Sequence, residues 1–157
     1  MTVSAQPASD LGILVLLAYQ GFVRQLHKDM AAHGYDDIGH SDGVVFRMLA
    51  RQPHTVSELA TWLEISKQGT TQIIDDMQAR GYVVRTPDPS DARAKLIALS
   101  PRGQAALSVA RRFHRSYEAR LVRAHGSESI EALRVVLGDM GAAAPEALDR
   151  ALRGVYL

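Results

Sequence analysis

The residues with the clearest chemical potential are a group of polar side chains in one short segment, residues 66–72. They are Ser66, Lys67, Gln68, Thr70, Thr71 and Gln72. Gln68, Thr71 and Gln72 suit adenine edges or thymine methyls, Lys67 suits phosphate or guanine, and Ser66 and Thr70 suit phosphates. At the start of a helix this set predicts a major-groove contact with DNA. The alternative is an ordinary solvated helix face, which is also polar.

A second group of charged residues follows a proline-rich break at residues 87–91. Arg93 is predicted to enter the adjacent minor groove, where narrow A·T-rich tracts attract arginine, with Asp91 holding its guanidinium. Lys95 adds a second cation. The alternative for Asp91 and Arg93 is an exposed salt bridge worth roughly 0–1 kcal/mol.

The elements that position these groups are predicted from capping residues and apolar spacing. Thr55 and Glu58 have the spacing of a capping box, and Ser66 is a good cap for the next helix. A tight turn at Glu64–Ile65 separates the two helices, and Gly81 ends the second. The inward residues are Leu59, Ala60 and Leu63 in the first helix, and Ile73, Ile74 and Met77 in the second. Strand-like composition at residues 82–86 and 95–99 then predicts a hairpin.

Four motifs in this region together resemble the MarR family. They are Lys67-Gln68 opening a helix, Arg80-Gly81-Tyr82-Val83 closing it, Asp88-Pro-x-Asp91-x-Arg93 in the loop, and Leu99-Ser100-Pro101-x-Gly103. The resemblance covers roughly residues 10–143. It implies a dimeric winged helix-turn-helix repressor or activator that binds a pseudo-palindromic DNA operator. Glu64 departs from the small residue usual at the family's turn, and Ser90 replaces a basic residue common in its loop.

The expected fold is mainly α with a small β-hairpin wing, comprising a winged helix-turn-helix DNA-binding lobe and a helical dimerisation lobe. The expected divisions are an N-terminal dimerisation helix at 1–34, the winged lobe at 35–103 and C-terminal helices at 104–157. Asp10 can cap a helix from Leu11 to Ala32, whose apolar stripe is too broad for one packing partner. One neighbour is expected from the same chain and one from a second subunit, although a central helix in a monomer is the alternative.

The C-terminal third begins with Ser100-Pro101, a cap followed by proline at the first helical position. The long helix that follows has one apolar face, formed by Ala106, Ala110, Phe113, Tyr117 and Leu121. Its remainder is rich in Arg, and Arg102 is the member predicted to touch phosphate. The alternative is that these long side chains only cover the helix surface. Further helices are expected after Gly126 and after Ala144-Pro145.

Composition bounds the remaining classes of function. The 157 residues suit one domain, and fifteen of the eighteen Lys and Arg residues are Arg. Cysteine is absent, which excludes disulfides and thiol-based redox sensing. No phosphate loop, nucleophile elbow or paired carboxylates appear, so no enzyme activity, catalytic residue or cofactor is predicted. The first residues contain neither a leader nor a membrane anchor pattern, and a cytoplasmic protein is expected.

Regulation is predicted from the resemblance, because relatives bind a small, often aromatic and anionic ligand between the dimer helices and the DNA-binding head. The candidate lining residues are Tyr35, His40, Phe46, Trp62 and Phe113, although aromatic residues at helical spacing are more often plain core. His27, His33, His40 and His54 form no convincing metal-binding pair, so no metal site is predicted. A metal-responsive regulator and a winged helix that binds only proteins are the alternative functions.

Overall fold

The structure is a computed structural model that describes residues 10–39 and 41–142. It contains six helices and three strands in those ranges, so the prediction of a mainly helical chain with a small sheet is confirmed. In chain order they are α1 (Leu11–Ala32), α2 (Asp42–Leu49), β1 (His54–Thr55), α3 (Val56–Leu63), α4 (Lys67–Ala79), β2 (Val83–Asp88), β3 (Asp91–Leu99), α5 (Pro101–His125) and α6 (Ser127–Gly141). The helix expected after Pro145 lies outside the described residues.

The predicted helix starts are set by side chains that cap backbone N–H groups. Asp10 accepts from Gly12 N at 2.8 Å at the start of α1. The capping box of α3 is confirmed, with Thr55 N donating to Glu58 Oε2 at 2.7 Å and Glu58 N donating to Thr55 Oγ1 at 3.2 Å. Helix α2 differs, because Ser41 occupies the cap position without a side-chain hydrogen bond. Its first residue, Asp42, instead accepts hydrogen bonds from Gly39 and Arg80.

The sheet is larger than the sequence predicts. Strand β3 lies between β2 and the two-residue β1, and both pairings are antiparallel. The predicted five-residue break is wrong in extent, because the strands continue to Asp88 and resume at Asp91. Pro87 fits in β2 because β2 is an edge strand, where a missing N–H removes no ladder hydrogen bond. Asp88 shapes the turn by accepting from Ser90 N at 2.8 Å.

The core lies between α2, α3, α4 and the sheet, with one extension along α5. Tyr82, Leu59, Ile74, Met77 and Ile97 are each fully buried. Phe46 packs edge-on against Tyr82 with ring centroids 5.4 Å apart. Thus the apolar spacing of α3 and α4 predicted the faces that meet, with Leu63 and Ile73 only partly buried at their margin.

The outer helices α1 and α5 are joined by an aromatic cluster. Phe22 contacts Phe113 and Tyr117 with centroids 5.7 and 5.1 Å apart, and the His114 ring lies 5.2 Å from that of Phe22. Burial, and then the nearby charge of Arg47, lower the pKa of His114 to about 4. The His114 ring is therefore neutral at pH 7 and behaves as part of the apolar contact.

Most of the apolar surface of α1 is not covered in a single chain. In its first half, Leu14, Leu16, Leu17 and Tyr19 are between 47% and 61% exposed. Helix α6 is similar, with Leu133, Val135, Val136, Leu137 and Met140 between 42% and 59% exposed. The alternative of α1 as a central helix in a monomer is therefore wrong for the described chain.

The join between the sheet and α5 depends on the absence of a side chain at Gly103. Ser100 N donates to Tyr82 O at 3.0 Å, and Gly103 N donates to Ser100 Oγ at 3.0 Å. A Cβ built on Gly103 would lie 2.1 Å from Tyr82 O. Since the obstructing atom is backbone, the first turn of α5 could accept a methyl group only by moving away from β2.

We expect Gly103→Ala to lower the free energy of unfolding by at least about 2 kcal/mol, within the range for overpacking a close contact. Chemical denaturation monitored by circular dichroism would measure the loss. Gly43→Ala is the matched control, because nothing lies within 4 Å of the added Cβ in α2 and alanine favours a helix. Equal stability of wild type and Gly103→Ala would contradict the close contact.

Candidate nucleic-acid interface

The start of α4 presents polar side chains that have no partner elsewhere in the described residues. Lys67, Gln68 and Gln72 are exposed, and their side chains make no hydrogen bond or ion pair within residues 10–39 and 41–142. Ser66 is exposed as well, but its Oγ accepts from Gly69 N at 3.0 Å and so forms the helix cap. The side chains of Lys67, Gln68 and Gln72 are therefore free to bind a ligand, while Ser66 caps the helix.

Two threonines predicted with this group have different surroundings. Thr70 is 0% exposed and donates its hydroxyl to Ser66 O at 3.1 Å, so its predicted phosphate contact is wrong. It lies on the face of α4 that packs into the core, which its polar type did not reveal. Thr71 is partly exposed and donates to Lys67 O at 2.8 Å. Its methyl group and the hydroxyl lone pairs are the features left for a partner.

The turn before α4 has an unusual backbone at the position where the sequence departs from the MarR pattern. Glu64 adopts the left-handed conformation with φ of 53°, and it is the one non-glycine residue with positive φ in the described chain. Such a conformation is uncommon for a residue with a Cβ. Gly69 follows in the first turn of α4, where a Cβ would lie 3.3 Å from the capping Ser66 Oγ. The turn therefore forms as predicted, with strain at Glu64.

The hairpin carries exposed cations near its tip. Arg93 and Lys95 are exposed, and neither side chain has an ion pair or hydrogen bond within the described residues. Asp91 accepts from the backbone N–H of Arg93 at 2.9 Å. Both interpretations of a side-chain pair between Asp91 and Arg93 are thus wrong for this structure. Asp91 shapes the turn, and the Arg93 guanidinium is left available.

The base of the hairpin is fixed to α4 by Arg85. Its guanidinium donates to Asp75 Oδ1 at 2.6 Å and also to the Gln78 side chain. Asp75 lies in the second half of α4. Its contact with β2 gives it a structural role, because it sets the position of the hairpin relative to the start of α4.

The end of α4 is fixed to α2 through a buried carboxylate. Arg80 donates to Asp42 Oδ2 at 2.6 Å, to Asp37 O at 2.5 Å and to Asp76 Oδ2 at 2.5 Å. Asp42 is 2% exposed and also accepts from Gly39 N at 2.8 Å. The hydrogen bond to Asp42 is the main cause of the raised pKa of Arg80. The second half of the helix that bears the candidate contacts is therefore fixed both to α2 and to the hairpin.

Arg102 has intramolecular partners that the sequence did not indicate. It donates to both carboxylate oxygens of Asp37 at 3.2 Å and to Tyr82 Oη at 3.2 Å, and it lies 4.8 Å from the centroid of the Tyr82 ring. Burial opposes ionisation of Asp37, but hydrogen bonding from Tyr82 and the charge of Arg102 leave its pKa lowered. Burial, followed by hydrogen bonding to Asp37, raises the pKa of Tyr82. The predicted phosphate contact of Arg102 therefore competes with these bonds.

Four of the five residues predicted to line one ligand pocket are described, and these four do not gather. Tyr35 and Phe46 both contact Tyr82, Trp62 packs on His54 with centroids 4.5 Å apart, and Phe113 lies between α1 and α5. His40 lies outside the described residues. The prediction of a shared pocket for the other four is wrong, because three separate contacts occupy their rings.

An open groove of about 480 Å³ lies between α1 and α5. Its lining includes Lys28, Arg112 and Arg120, the His33 imidazole, and the aromatic rings of Phe113 and Tyr117. Arg120 donates to Gln25 Oε1 at 2.8 Å, and its guanidinium lies 5.0 Å from the centroid of the Tyr117 ring. Asp29 is the acidic residue of the lining. Cations above aromatic rings suit an anion with an apolar or aromatic part.

In residues 10–39 and 41–142, no cluster of three or more His, Cys, Asp or Glu side chains is arranged to hold a metal ion. Among the helices of this described part, none combines the length and apolar character that crossing a bilayer requires.

Two of the contacts that the sequence did not indicate join residues distant along the chain. Asp37 and Arg102 are 65 positions apart, and Asp42 and Arg80 are 38 apart. No local pattern marks such a pair, because each member alone resembles a solvated surface charge. The Arg80-Gly81-Tyr82-Val83 motif was the nearest signal, since two of its residues are in these networks.

Comparison with known proteins agrees with this geometry. The family model described as MarR family matches residues 37–94. A search of curated protein sequences gave no match.

Three solved structures illustrate the likeness. The transcriptional repressor CouR bound to a 23-mer DNA duplex has 25% identity and a TM-score of 0.68, covering 85% of this chain and 94% of its own. A cysteine-to-serine mutant of MarR from E. coli has 21% identity and a TM-score of 0.63, covering 86% and 98%. A MepR mutant from multidrug-resistant S. aureus has 17% identity and a TM-score of 0.65, covering 88% and 100%. Residues 37–94 thus match the MarR family, and across most of the chain the fold is similar to those of MarR-family transcriptional regulators.

Proposed function

We propose that the protein is a homodimeric repressor that binds a pseudo-palindromic DNA operator and is released by a small molecule. In each subunit, α4 enters the major groove with Lys67, Gln68, Thr71 and Gln72 towards the bases and the nearest phosphates. The hairpin tip places Arg93 in the neighbouring minor groove, with Lys95 beside it. Such a protein would work in the cytoplasm, next to the DNA that it regulates.

The main support for DNA binding is that two exposed sets of polar side chains, at the start of α4 and at the hairpin tip, are held in fixed relative positions. The exposed start of α4 supplies amides and a cation, and the hairpin supplies two cations. Arg85 joins the hairpin to α4, and Arg80 joins α4 to α2. A winged helix that binds only proteins would not require exposed cations at the tip of its hairpin. CouR, a structural relative, is a repressor whose structure contains a DNA duplex.

Dimerisation is supported by the exposed apolar residues of α1 and α6. Monomeric soluble proteins rarely expose a large contiguous apolar patch. A twofold dimer would cover these residues and bring two copies of α4 to half-sites about one helical turn apart. We therefore assign residues 1–34 and 104–157 to a dimerisation lobe and residues 35–103 to a DNA-binding lobe.

The response to a small molecule is supported by the groove between α1 and α5. Its cations and aromatic rings suit an aromatic carboxylate, and Phe113 is the one lining residue shared with the sequence prediction. A ligand there would contact helices of the dimerisation lobe. By favouring one arrangement of the two subunits, it would change the operator affinity.

Selection of bound duplexes from a random pool would test DNA binding and define an operator. On that operator we expect Arg93→Ala to bind about tenfold more weakly, which corresponds to about 1.4 kcal/mol. The slope of log affinity against log salt should fall by nearly one, because one phosphate-neutralising cation is lost. Gln68→Ala should instead change the preferred sequence.

Arg123→Ala, an equal change of charge near the end of α5, is the control for Arg93→Ala and should retain wild-type affinity. Selection that enriches no duplex, or identical binding by Arg93→Ala and wild type, would refute the assignment.

For the dimer, sedimentation velocity should give a single species of twice the chain mass for the wild type. Leu14→Glu combined with Leu17→Glu should shift it to single chains, because two charges would be buried in an apolar interface. Val84→Glu, which adds a charge to an apolar residue 40% exposed on β2, should remain dimeric. A wild type that sediments as single chains at micromolar concentration would contradict this arrangement.

For the groove, benzoate is a suitable probe because it combines a ring with a carboxylate. At saturating concentration it should raise the melting temperature of the wild type, since it binds only the folded chain. Arg120→Gln should reduce the rise by more than half. Arg115→Gln, which removes a charge from the same helix outside the groove, should keep it. A rise that is unchanged in Arg120→Gln would exclude this groove as the site.

A further inference from the structure

The chain passes between the DNA-binding lobe and the outer helices at two places. The first is the linker from the end of α1 to α2, residues 33–41, and the second is the junction from β3 to α5, residues 99–103. We call these the first and second crossings. These are the two places where the backbone connects the two parts, which also share one hydrophobic core through Met30, Ala106 and Val109.

Asp37 in the first crossing accepts hydrogen bonds from three residues that are distant in the sequence. Its carboxylate accepts from Arg102 in the first turn of α5 and from the hydroxyl of Tyr82. Its backbone carbonyl accepts from Arg80 at the end of α4, at 2.5 Å. A single residue therefore connects the first crossing with the second crossing and with the candidate recognition helix.

The neighbouring contacts limit the freedom of both crossings. Arg102 lies over the rings of Tyr82 and Tyr35, with distances of 4.8 and 5.7 Å to their centroids. The Tyr82 ring itself is 0% exposed, so its hydroxyl is directed from a fixed position in the core. Gly39, later in the first crossing, donates its N–H to Asp42. The carboxylate of Asp37 thus accepts from the hydroxyl of the buried Tyr82 and from Arg102, whose guanidinium lies over the two tyrosine rings.

We propose that Asp37 is a positioning residue that fixes the orientation of the DNA-binding lobe relative to the outer helices. It does so by joining the two crossings through Arg102 and Tyr82, without touching DNA. The consequence for operator binding rests on the proposed function, in which the separation of two DNA-binding lobes must match the half-sites. Arg102 acts with Asp37 in this role, in place of the phosphate contact predicted from sequence.

The adjacent Asp36 offers a matched control. It carries the same charge, is exposed, and makes no hydrogen bond or ion pair within the described residues. Removal of either carboxylate changes the net charge equally, so a general electrostatic effect on DNA affinity would be the same for Asp36→Ala and Asp37→Ala. A difference between the two variants reports the contacts of Asp37.

The direct test measures orientation within one chain. Because the chain lacks cysteine, Thr86→Cys on β2 and Ala119→Cys on α5 would accept two spin labels at defined exposed positions. Dilution with excess unlabelled protein restricts pulsed dipolar spectroscopy to the distance within a chain, whether or not the protein dimerises. Asp37→Ala and Arg102→Ala should each widen the distance distribution about twofold, while Asp36→Ala should keep the wild-type width. Far-ultraviolet circular dichroism would verify that each variant is folded.

Asp37→Asn adds a second measurement if Asp37→Ala fails to fold. It keeps an oxygen that can accept from Tyr82 but removes the ion pair with Arg102, so it should widen the distribution less than Arg102→Ala combined with Tyr82→Phe. A wild-type width in folded Asp37→Ala, or in Asp37→Asn and Arg102→Ala where the alanine variant does not fold, would overturn the proposal.

The functional test uses the selected operator with two base pairs inserted between its half-sites. Wild type and Asp36→Ala should bind the altered duplex at least about tenfold more weakly than the original, a penalty like that of a mismatched site. Asp37→Ala should lose less than about threefold. Equal penalties for Asp37→Ala and wild type would overturn the role in spacing. Failure of the wild type to bind either duplex would instead refute the proposed function, while the labelled distances would still decide the role of Asp37.

Discussion

The ion pair between Asp42 and Arg80 is the interaction on which the DNA-binding part of the structure depends. Asp42 is almost fully buried, and its carboxylate accepts from the guanidinium of Arg80 and from Gly39 N. Loss of one partner of a buried pair leaves an uncompensated charge and typically costs about 3–5 kcal/mol. The pair joins the first residue of α2 to the last turn of α4, so packing of α4 and formation of this bond favour the same arrangement.

Further polar contacts connect α4 to the neighbouring elements. Arg80 reaches the first crossing through Asp37 O, and Arg85 joins the neighbouring strand to α4. Polar contacts of this kind fix direction and distance in a way that apolar packing alone does not. The elements that bear Lys67, Gln68 and Arg93 are therefore fixed in position, although these side chains are exposed and have no partner within the described part of the chain. The structural cations Arg80, Arg85 and Arg102 are thus distinguished from the exposed Lys67, Arg93 and Lys95 by their intramolecular partners.

Local patterns predicted most of the elements, because their causes lie within a few residues. The capping box of Thr55 and Glu58, the Ser66 cap and the stop at Gly81 each depend on backbone groups within one helical turn. The hairpin was predicted too short because Pro87 was treated as a strand breaker, which holds for a central strand but not for an edge. Thr70 was misplaced because a polar type does not show which face of a helix packs inward. The ion pairs of Asp37 and Asp42 had no local signal, since their partners become neighbours only after folding.

Pro87 has a consequence beyond the shape of the hairpin. Strand β2 presents one side of its backbone to solvent, and a twofold dimer would carry two such strands on opposite wings. Unpaired strands of this kind can recruit a strand from another molecule, and repeated pairing at two wings would generate chains of dimers. A proline there removes a donor that such recruitment requires. Pro87 would thereby disfavour end-to-end polymerisation of such dimers through their wings.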